Sequence, residues 1–357
     1  MERETSTHDT STKEQGVLYI GMDLGTSRTS IAASNGVRET VYSVVGYPKD
    51  IVARKLLKAE VLFGTEALAK RLSLDLYRPL EKGVIKYSDN GIDSPEAKAN
   101  MRAAKDLVKH AIALAKPRKD ELIYGVIGCP AEGSIKNKQA IIEAAREVLD
   151  SVMICSEPFS VAYGLDRLDD TLVIDIGAGT TDLCRMHGTL PSEEDQVTFS
   201  IAGDSIDAML SKLIGEKCKG AQFTVNMIKE IKEKYSFVNE TADPVVVTFP
   251  VNGKPTQFDI TNEVRTACRS IVPPIVDALQ KLIASFDPEF QERLRNNVLL
   301  GGGGSQIKGL GRAIEQEMQA RLGGGRVHTV EEPMYGGANG ALKIAHDMPT
   351  EFWERLK

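Results

Sequence analysis

One short unit occurs twice in the chain, and this duplication constrains the fold more than any other feature of the sequence. An apolar strand at residues 17–20 leads into the sequence DLGTSRTS at residues 23–30, and a second strand follows at residues 30–33. A similar strand at residues 171–174 leads into DIGAGTTD at residues 175–182. Each copy predicts a hairpin whose turn consists of glycine and small hydroxyl residues. Because the copies are much further apart than the period of a solenoid repeat, they indicate a duplicated domain.

Length and composition favour two domains or one large domain. The chain has 357 residues, of which 42% are hydrophobic and 26% are charged, and such a chain can bury a sizeable core. The formal net charge of -6 and the pI near 5.6 provide no global positive field. Neither nucleic acid nor an anionic membrane is therefore an expected partner.

The hydropathy pattern favours a protein that stays in the cytoplasm. No apolar run approaches the ~18 to 20 residues that cross a bilayer, and the N-terminus has no hydrophobic signal segment. Residues 1–15 are polar and predict a disordered tail. The cysteines show no CxxC spacing and predict reduced thiols in the core; they are Cys129, Cys155, Cys184, Cys218 and Cys268.

Strands and helices alternate along the middle of the chain, which is typical of α/β layers with parallel strands. The pattern predicts a helix at residues 95–116, a strand at 122–128, a helix at 134–150, a strand at 152–155 and a helix opened by Glu157 and Pro158. In the second half it predicts helices at residues 205–219, 226–235 and 261–286, the last kinked at its prolines. A strand at residues 298–300 then leads into a glycine run and a helix that ends near residue 322.

The two hairpin turns have the composition of phosphate-binding turns. Their small residues leave backbone N–H groups accessible, and their hydroxyls add further donors. Each preceding strand ends in a carboxylate, Asp23 or Asp175. A carboxylate does not attract phosphate directly, so we predict that these two hold the water shell of a Mg²⁺ ion that bridges the phosphates.

Three other segments are candidates on local grounds. The glycine run at residues 301–304 would let a flat ring or a sugar approach the backbone, and a flexible turn is the alternative. Asp204 is in a position to cap a helix, and Asp207 one turn later is as easily a surface carboxylate. Lys229, Lys232 and Glu233 lie three and four residues apart, which locally predicts a solvated face of ion pairs.

The order of these segments resembles the actin, Hsp70 and sugar-kinase superfamily. The matching segments are the two hairpins, the junction at Glu157 and Pro158, the sequence AGD at residues 202–204 and GGGGSQIKGL at residues 301–310. The chain is also similar to the bacterial actin-like filament proteins that organise magnetosomes, at residues 43–50, 156–159, 194–198 and 234–238. The resemblance covers residues 17–357.

The resemblance implies roles for individual residues. Asp23 and Asp175 would surround the metal, and Glu157 would orient the water that attacks ATP. Because proline follows Glu157, we expect this residue to be extended, to end its strand and to face the cleft. The residues that the resemblance places around the nucleotide are Gly25, Thr26, Ser27, Gly177, Gly179, Thr180, Gly203, Asp204, Lys232, Glu233, Gly302, Gly303 and Ser305.

The resemblance also implies the fold, which would be two related α/β domains with ribonuclease H-like cores, a nucleotide cleft between them and a small subdomain on each. The first domain would comprise residues 16–157 and 325–357, with its subdomain at about residues 45–90. The second would comprise residues 158–324, with its subdomain at about residues 204–262. The implied activity is the hydrolysis of ATP to ADP and phosphate, with Mg²⁺, coupled to filament assembly. The implied partners are further copies of the chain and a linker protein associated with magnetosomes.

Three alternatives remain on the same fold, because fold does not determine function. A small-molecule kinase would need a substrate pocket with an aspartate base, and such chains are commonly longer. A monomeric ATP-switched chaperone or a plasmid-partition module would differ in assembly. A cell-shape filament protein of the MreB kind would usually carry an amphipathic membrane segment, and residues 1–15 contain none.

Overall fold

The computed structural model describes residues 16–86, 94–130, 133–239 and 243–356, so the tail expected at residues 1–15 lies outside the described residues. The strands in this part of the chain are β1 (Val17–Leu24), β2 (Arg28–Ala33), β3 (Arg38–Tyr42), β4 (Val45–Pro48), β5 (Leu62–Phe63), β6 (Leu74–Tyr77), β7 (Leu80–Glu81), β8 (Val84–Ile85), β9 (Leu122–Cys129), β10 (Ser151–Ser156), β11 (Thr171–Ile176), β12 (Thr181–Met186), β13 (Gln196–Phe199), β14 (Val246–Val251), β15 (Lys254–Asp259), β16 (Val298–Gly301) and β17 (Val327–Thr329).

The helices in the same part of the chain are α1 (Ile51–Leu57), α2 (Gly64–Ala69), α3 (Pro95–Leu114), α4 (Ile135–Ala145), α5 (Glu157–Gly164), α6 (Gly203–Lys217), α7 (Val225–Tyr235), α8 (Thr261–Arg269), α9 (Val272–Ala284), α10 (Gln291–Arg295), α11 (Leu310–Leu322), α12 (Gly336–Asp347) and α13 (Thr350–Arg355).

Two five-stranded sheets have the same topology. The first has the order β10-β9-β1-β2-β3 and the second has the order β17-β16-β11-β12-β13. In each sheet the central hairpin is antiparallel, and a parallel strand, β9 or β16, pairs with its first strand. The duplication predicted from the two short motifs is thus a duplication of whole sheets, and the expected actin-like α/β fold is confirmed.

Smaller elements extend each half of the molecule. In the first half, β4, β5 and β6 form a three-stranded sheet beside α1 and α2, and β7 and β8 form a short hairpin. In the second half, β14 and β15 form a separate hairpin. These elements fall within the two segments expected as small subdomains, whose limits stay a prediction.

Helices cover both faces of the two sheets. Buried residues of α3 and α4, such as Leu107 and Ile141, pack with Ile20 and Ile127 of the first sheet. On the other face of this sheet, Trp353 from the C-terminal helix α13 is fully buried. Helices α5 and α12 pack against each other where the two halves meet, so both sheets are held on one common layer.

The close approach of α5 and α12 depends on glycine. A Cβ atom on Gly340 would collide with the backbone of Ser160, and one on Gly164 would lie 2.9 Å from the Cα of Gly340. Such backbone-to-backbone contact is available only to residues without a side chain.

Two expectations about the helices were wrong. The helix predicted at residues 261–286 consists of two helices, α8 and α9, because Pro273 and Pro274 lie in the first turn of α9. Proline is tolerated there, since the first N–H groups of a helix have no intrahelical acceptor. The helix predicted at residues 134–150 ends at Ala145.

In the part of the chain that the structure describes, no helix has the length and the apolar character needed to cross a membrane. All five cysteines are free, and all but the partly exposed Cys155 are buried. Burial raises the pKa of Cys129 to about 12, which agrees with the predicted role of the cysteines as core thiols.

Candidate functional site

The first turn, residues 25–27, joins β1 to β2 and rests on a buried serine. The hydroxyl of Ser43 donates to the carbonyl of Gly25 over 2.7 Å. The backbone N–H of Ser43 donates to the carbonyl of Ser27 over 2.9 Å. The hairpin pairs Asp23 with Ser30, so the Asp23 carboxylate lies next to the turn. Ser43 therefore fixes the conformation of the first turn by binding two of its carbonyl groups.

The second turn, residues 177–180, joins β11 to β12 and is held by the start of α6. The N–H of Gly203 donates to the carbonyl of Gly177 over 3.1 Å, and the N–H of Asp204 donates to the carbonyl of Ala178 over 2.7 Å. The first N–H groups of a helix need such acceptors. The Asp204 side chain itself is exposed and lies in the first turn of α6, after the N-cap Ala202. Gly203 and Asp204 thus position the second turn through their backbones.

The glycine loop after β16 is packed tightly and is not a loose turn. Gly302 has φ +72°, and a Cβ atom there would collide with the Asp175 carboxylate. The hydroxyl of Ser305 donates to the carbonyl of Gly302 over 2.8 Å, and Ser305 is buried. Its side chain therefore supports the loop from inside.

The two turns, the glycine loop and α7 line one cleft of about 370 Å³. Most of the predicted site residues lie on its wall: Asp23, Gly25, Thr26, Ser27, Glu157, Asp175, Gly177, Gly179, Thr180, Gly203, Lys232, Glu233, Gly302 and Gly303. Asp204 and Ser305 are not part of this wall. The sequence motifs, although distant along the chain, are brought to one place.

Carboxylates dominate the inner end of the cleft. Burial, followed by the charge of Asp182, raises the pKa of Asp23 to about 6. Burial and the neighbouring carboxylates Asp23 and Asp182 raise the pKa of both Glu157 and Asp175 well above the usual range. Like charges that share a buried site disfavour ionisation. This end of the cleft therefore favours a positively charged ligand.

The carboxylates fit a magnesium ion that keeps its water shell. In the described residues, no group of three or more histidine, cysteine, aspartate or glutamate side chains converges closely enough to ligate an ion directly. Mg²⁺ gives up its waters reluctantly and is usually bound through few carboxylates. Asp23 and Asp175 would accept hydrogen bonds from those waters, as the sequence predicts.

Glu157 faces the cleft and opens α5, as the alternation of strands and helices predicted. The expectation from Pro158 that Glu157 would be extended and end its strand was wrong, because β10 ends at Ser156. Pro158 occupies the first turn of that helix, where proline is tolerated. Glu157 is only 8% exposed. Glu157 therefore both begins a helix and faces the carboxylate cluster.

Helix α7 carries one buried and one partly exposed ion pair, so it is not simply a solvated face. Lys232 donates to Asp207 over 2.8 Å and to the carbonyl of Gly203 over 2.9 Å. Asp207 is buried, which excludes the alternative of a surface carboxylate. Glu233 accepts a hydrogen bond from Arg28 of β2 over 3.0 Å, so it links the two sides of the cleft.

Three residues in or next to the cleft were not predicted as site residues. Asp182 does not line the cleft, but it pairs with Asp175 across the hairpin and its charge acts on Asp23; its place in DIGAGTTD was the available signal. Lys229 reaches the hydroxyl of Ser27 from the opposite side of the cleft. The N–H of Gly83, in the turn between β7 and β8, donates to the Thr26 hydroxyl over 2.8 Å. No local sequence signal identified these last two contacts, because each joins segments far apart in the chain.

Comparison with known proteins gives consistent results over almost the whole chain. A family model described as MreB/Mbl protein matches residues 18–351. The actin-like protein MamK of Paramagnetospirillum magneticum is 38% identical over 340 residues, which cover 95% of each chain.

Solved structures agree with this result. A MamK double helical filament superposes with a TM-score of 0.88 at 38% identity, over 94% of this chain and 100% of that one. A non-polymerising mutant of MamK bound to AMPPNP superposes with a TM-score of 0.69 at 37% identity, over 93% of this chain and 100% of that one.

Proposed function

Because this chain belongs to the MreB/Mbl family of actin-like proteins, we propose that it binds ATP and Mg²⁺ in its cleft, hydrolyses the ATP slowly and assembles into filaments. The observation that carries the proposal is the convergence of two small-residue turns, a glycine loop and the carboxylates of Asp23, Glu157 and Asp175 on one cleft. The relative bound to AMPPNP supports nucleotide binding, and the relative solved as a double helical filament supports assembly.

The nucleotide would lie along the cleft with its phosphates between the two turns. Backbone N–H groups and hydroxyls of the first turn (Gly25, Thr26, Ser27) and the second turn (Gly177, Gly179, Thr180) would donate to the phosphate oxygens. The bare backbone of Gly302 and Gly303 would contact the adenosine, with Lys232 and Glu233 beside it. Gly203, Asp204 and Ser305 would act by holding these segments in place.

The acidic end of the cleft would hold the metal and the attacking water. Bound Mg²⁺ would neutralise phosphate charge, and Asp23 and Asp175 would hold it through water. Glu157 would accept a hydrogen bond from a water molecule and orient its oxygen toward the terminal phosphorus. That oxygen forms the new bond, the bond to the leaving ADP oxygen breaks, and the proton of the water passes to the phosphate or to solvent. Positioning and charge neutralisation suffice for this reaction.

Nucleotide would control assembly through the angle between the two halves. A ligand that contacts both turns stabilises one arrangement of the halves, and a filament selects one subunit shape. The resemblance further implies cytoplasmic filaments that organise magnetosomes through a linker protein. We expect these filaments to assemble without nucleic acid and without insertion into a membrane.

Sedimentation and electron microscopy of the purified protein test the proposal. We expect filaments with ATP and Mg²⁺, and fewer with ADP or without nucleotide. Release of phosphate should accompany assembly. Equal pelleting under all three conditions, or no binding of ATP, would refute the proposed function. A parallel assay with a panel of sugars tests the kinase alternative, which requires turnover that depends on a sugar.

A further inference from the structure

A turn at residues 332–335 carries the chain from the second sheet back to the first. It follows β17, an edge strand of the second sheet, and it precedes α12, which packs on β1 of the first sheet. The N–H of Tyr335 donates to the carbonyl of Glu332 over 3.0 Å and closes the turn. Pro333 takes the second position, which suits the fixed φ of proline. The two central residues, Pro333 and Met334, line the cleft.

The centre of this turn lies beside the glycine loop that follows β16. A Cβ atom on Gly303 would stand 3.5 Å from the sulfur of Met334, which is an ordinary van der Waals distance. Gly303 belongs to the segment that the proposed function assigns to adenosine. The position of Met334 therefore affects the shape of the cleft where the nucleoside would lie.

One side chain from outside the cleft wall holds both ends of the turn. The guanidinium of Arg38, on the edge strand β3 of the first sheet, donates to the two carboxylate oxygens of Glu332 over 2.6 and 2.8 Å. The same guanidinium lies 5.1 Å from the centre of the Tyr335 ring, which is within the range of a cation–π contact. Arg38 thus binds the first and the last residue of the turn at once.

This contact has more effect on geometry than on the stability of the fold. Both partners are partly exposed, and water competes for exposed ion pairs, so the pair contributes little to folding. Two parallel hydrogen bonds nevertheless fix the direction of a carboxylate much more narrowly than one bond does. A wall that is already ordered costs less free energy to bind against than one that must be ordered by the ligand. Loss of the contact should therefore reduce ligand affinity before it reduces Tm.

We propose that Arg38 is a positioning residue for the nucleoside end of the bound nucleotide. Its contacts with Glu332 and Tyr335 hold Pro333 and Met334 beside the glycine loop, and so keep the wall for adenosine formed before the ligand arrives. The proposal rests on the proposed function and adds to it a residue of the edge strand β3. A polyphosphate without a nucleoside, bound by the two small-residue turns, would not depend on Arg38.

The test compares two ligands, ATP and inorganic tripolyphosphate, the latter measured by its competition with ATP in the presence of Mg²⁺. We expect Arg38→Met to raise the Kd for ATP by about two- to fivefold, the range of an exposed ion pair, and to leave the Kd for tripolyphosphate unchanged. Glu332→Gln should act in the same direction, and adding it to Arg38→Met should change little. Arg38→Lys keeps the charge without the forked donors, so its Kd for ATP should lie between those of the wild type and Arg38→Met.

Arg54→Met is the matched control, because Arg54 is an exposed arginine on α1 in the same half of the molecule. It should leave the Kd of both ligands unchanged. Hydrogen exchange of the amides at residues 332–336 reports the turn directly. We expect faster exchange in ligand-free Arg38→Met than in the wild type, and recovery of protection when ATP is added.

A purely structural role of Arg38 would give a different pattern, in which Tm falls without ligand and the two ligands lose affinity by the same factor. That pattern, an unchanged Kd for ATP in Arg38→Met, or unchanged exchange at residues 332–336 would each overturn the inference. ATP that fails to bind the wild type would instead refute the proposed function.

Discussion

Gly179 of the second turn lies against Thr26 of the first. A Cβ atom on Gly179 would stand 2.6 Å from the Thr26 hydroxyl oxygen and 2.8 Å from the backbone nitrogen of Lys82. The two predicted phosphate-binding turns therefore touch, and the tip of the β7–β8 hairpin completes the contact. This closeness allows one ligand to reach both turns.

Gly179→Ala should force the turns apart. The added methyl group meets backbone atoms that cannot rotate away, so we expect ATP affinity to fall by about tenfold or more, about 1.4 kcal/mol. Gly215→Ala is the matched control, because a Cβ atom there has only an ordinary contact of 3.9 Å with Phe223. Calorimetric titration of both variants with ATP checks the prediction, and equal affinity in the two would contradict it.

Asp23→Asn should stabilise the nucleotide-free protein at neutral pH. The pKa of Asp23 is raised from 3.8 to about 6, so the folded state binds a proton that the unfolded state has already released. The wild type is therefore most stable relative to the variant below pH 4, and it loses this advantage as pH rises through about 6. Two pKa units correspond to at most about 3 kcal/mol.

Urea unfolding without Mg²⁺ at pH 4.5, 6 and 8 measures this effect. The increase in the free energy of unfolding caused by Asp23→Asn should grow between pH 4.5 and pH 6 and level off toward pH 8. A variant that is less stable than the wild type at pH 8 would show that the Asp23 carboxylate is not disfavoured by its surroundings.

Asp175→Ala should weaken the magnesium-dependent part of ATP binding. With Mg²⁺ we expect the Kd to rise about 10-fold or more, as for loss of a hydrogen bond to a charged group. In excess chelator the Kd of the variant and of the wild type should be similar. Asp120→Ala is the control, since Asp120 is an exposed carboxylate in a loop. If the Kd of the variant exceeded the wild-type Kd by the same factor with Mg²⁺ and with chelator, the result would count against a role of Asp175 at the metal.

The Arg28–Glu233 ion pair should slow nucleotide release. It crosses the cleft at 3.0 Å with each side chain about one third exposed, and pairs of this kind contribute about 0.2–1 kcal/mol. Glu233→Ala should therefore speed release of ATP by up to about fivefold, and Arg28→Ala in the same background should add little. Lys217→Ala removes an ion pair, with side chains 42% and 16% exposed, that lies within the second half, and it should leave the rate of release measured by stopped flow unchanged.

The sequence was sufficient for the fold and for most of the cleft wall. Each phosphate-binding turn could be predicted because its conformation depends on a few adjacent residues, such as Gly177 to Thr180. The glycine loop after β16 is also local, although its left-handed Gly302 and its contact with Asp175 appear only in three dimensions.

Contacts between distant segments could not be predicted. Lys229 and Ser27 are 202 positions apart, and helical spacing alone gave the wrong environment for Lys229. The paired prolines at residues 273–274 were compatible with a kink or with a helix start, and only packing decides between these. The subdomain limits and the roles of individual site residues stay predictions.

Phosphate release measured together with sedimentation for Glu157→Gln tests the central claim most directly. If Glu157 orients the attacking water, hydrolysis should slow by about 10²-fold, about 2.7 kcal/mol of barrier, while ATP binding and assembly persist. Filaments formed with ATP should then last longer than those of the wild type. Near-normal phosphate release from well-formed filaments of Glu157→Gln would contradict the account.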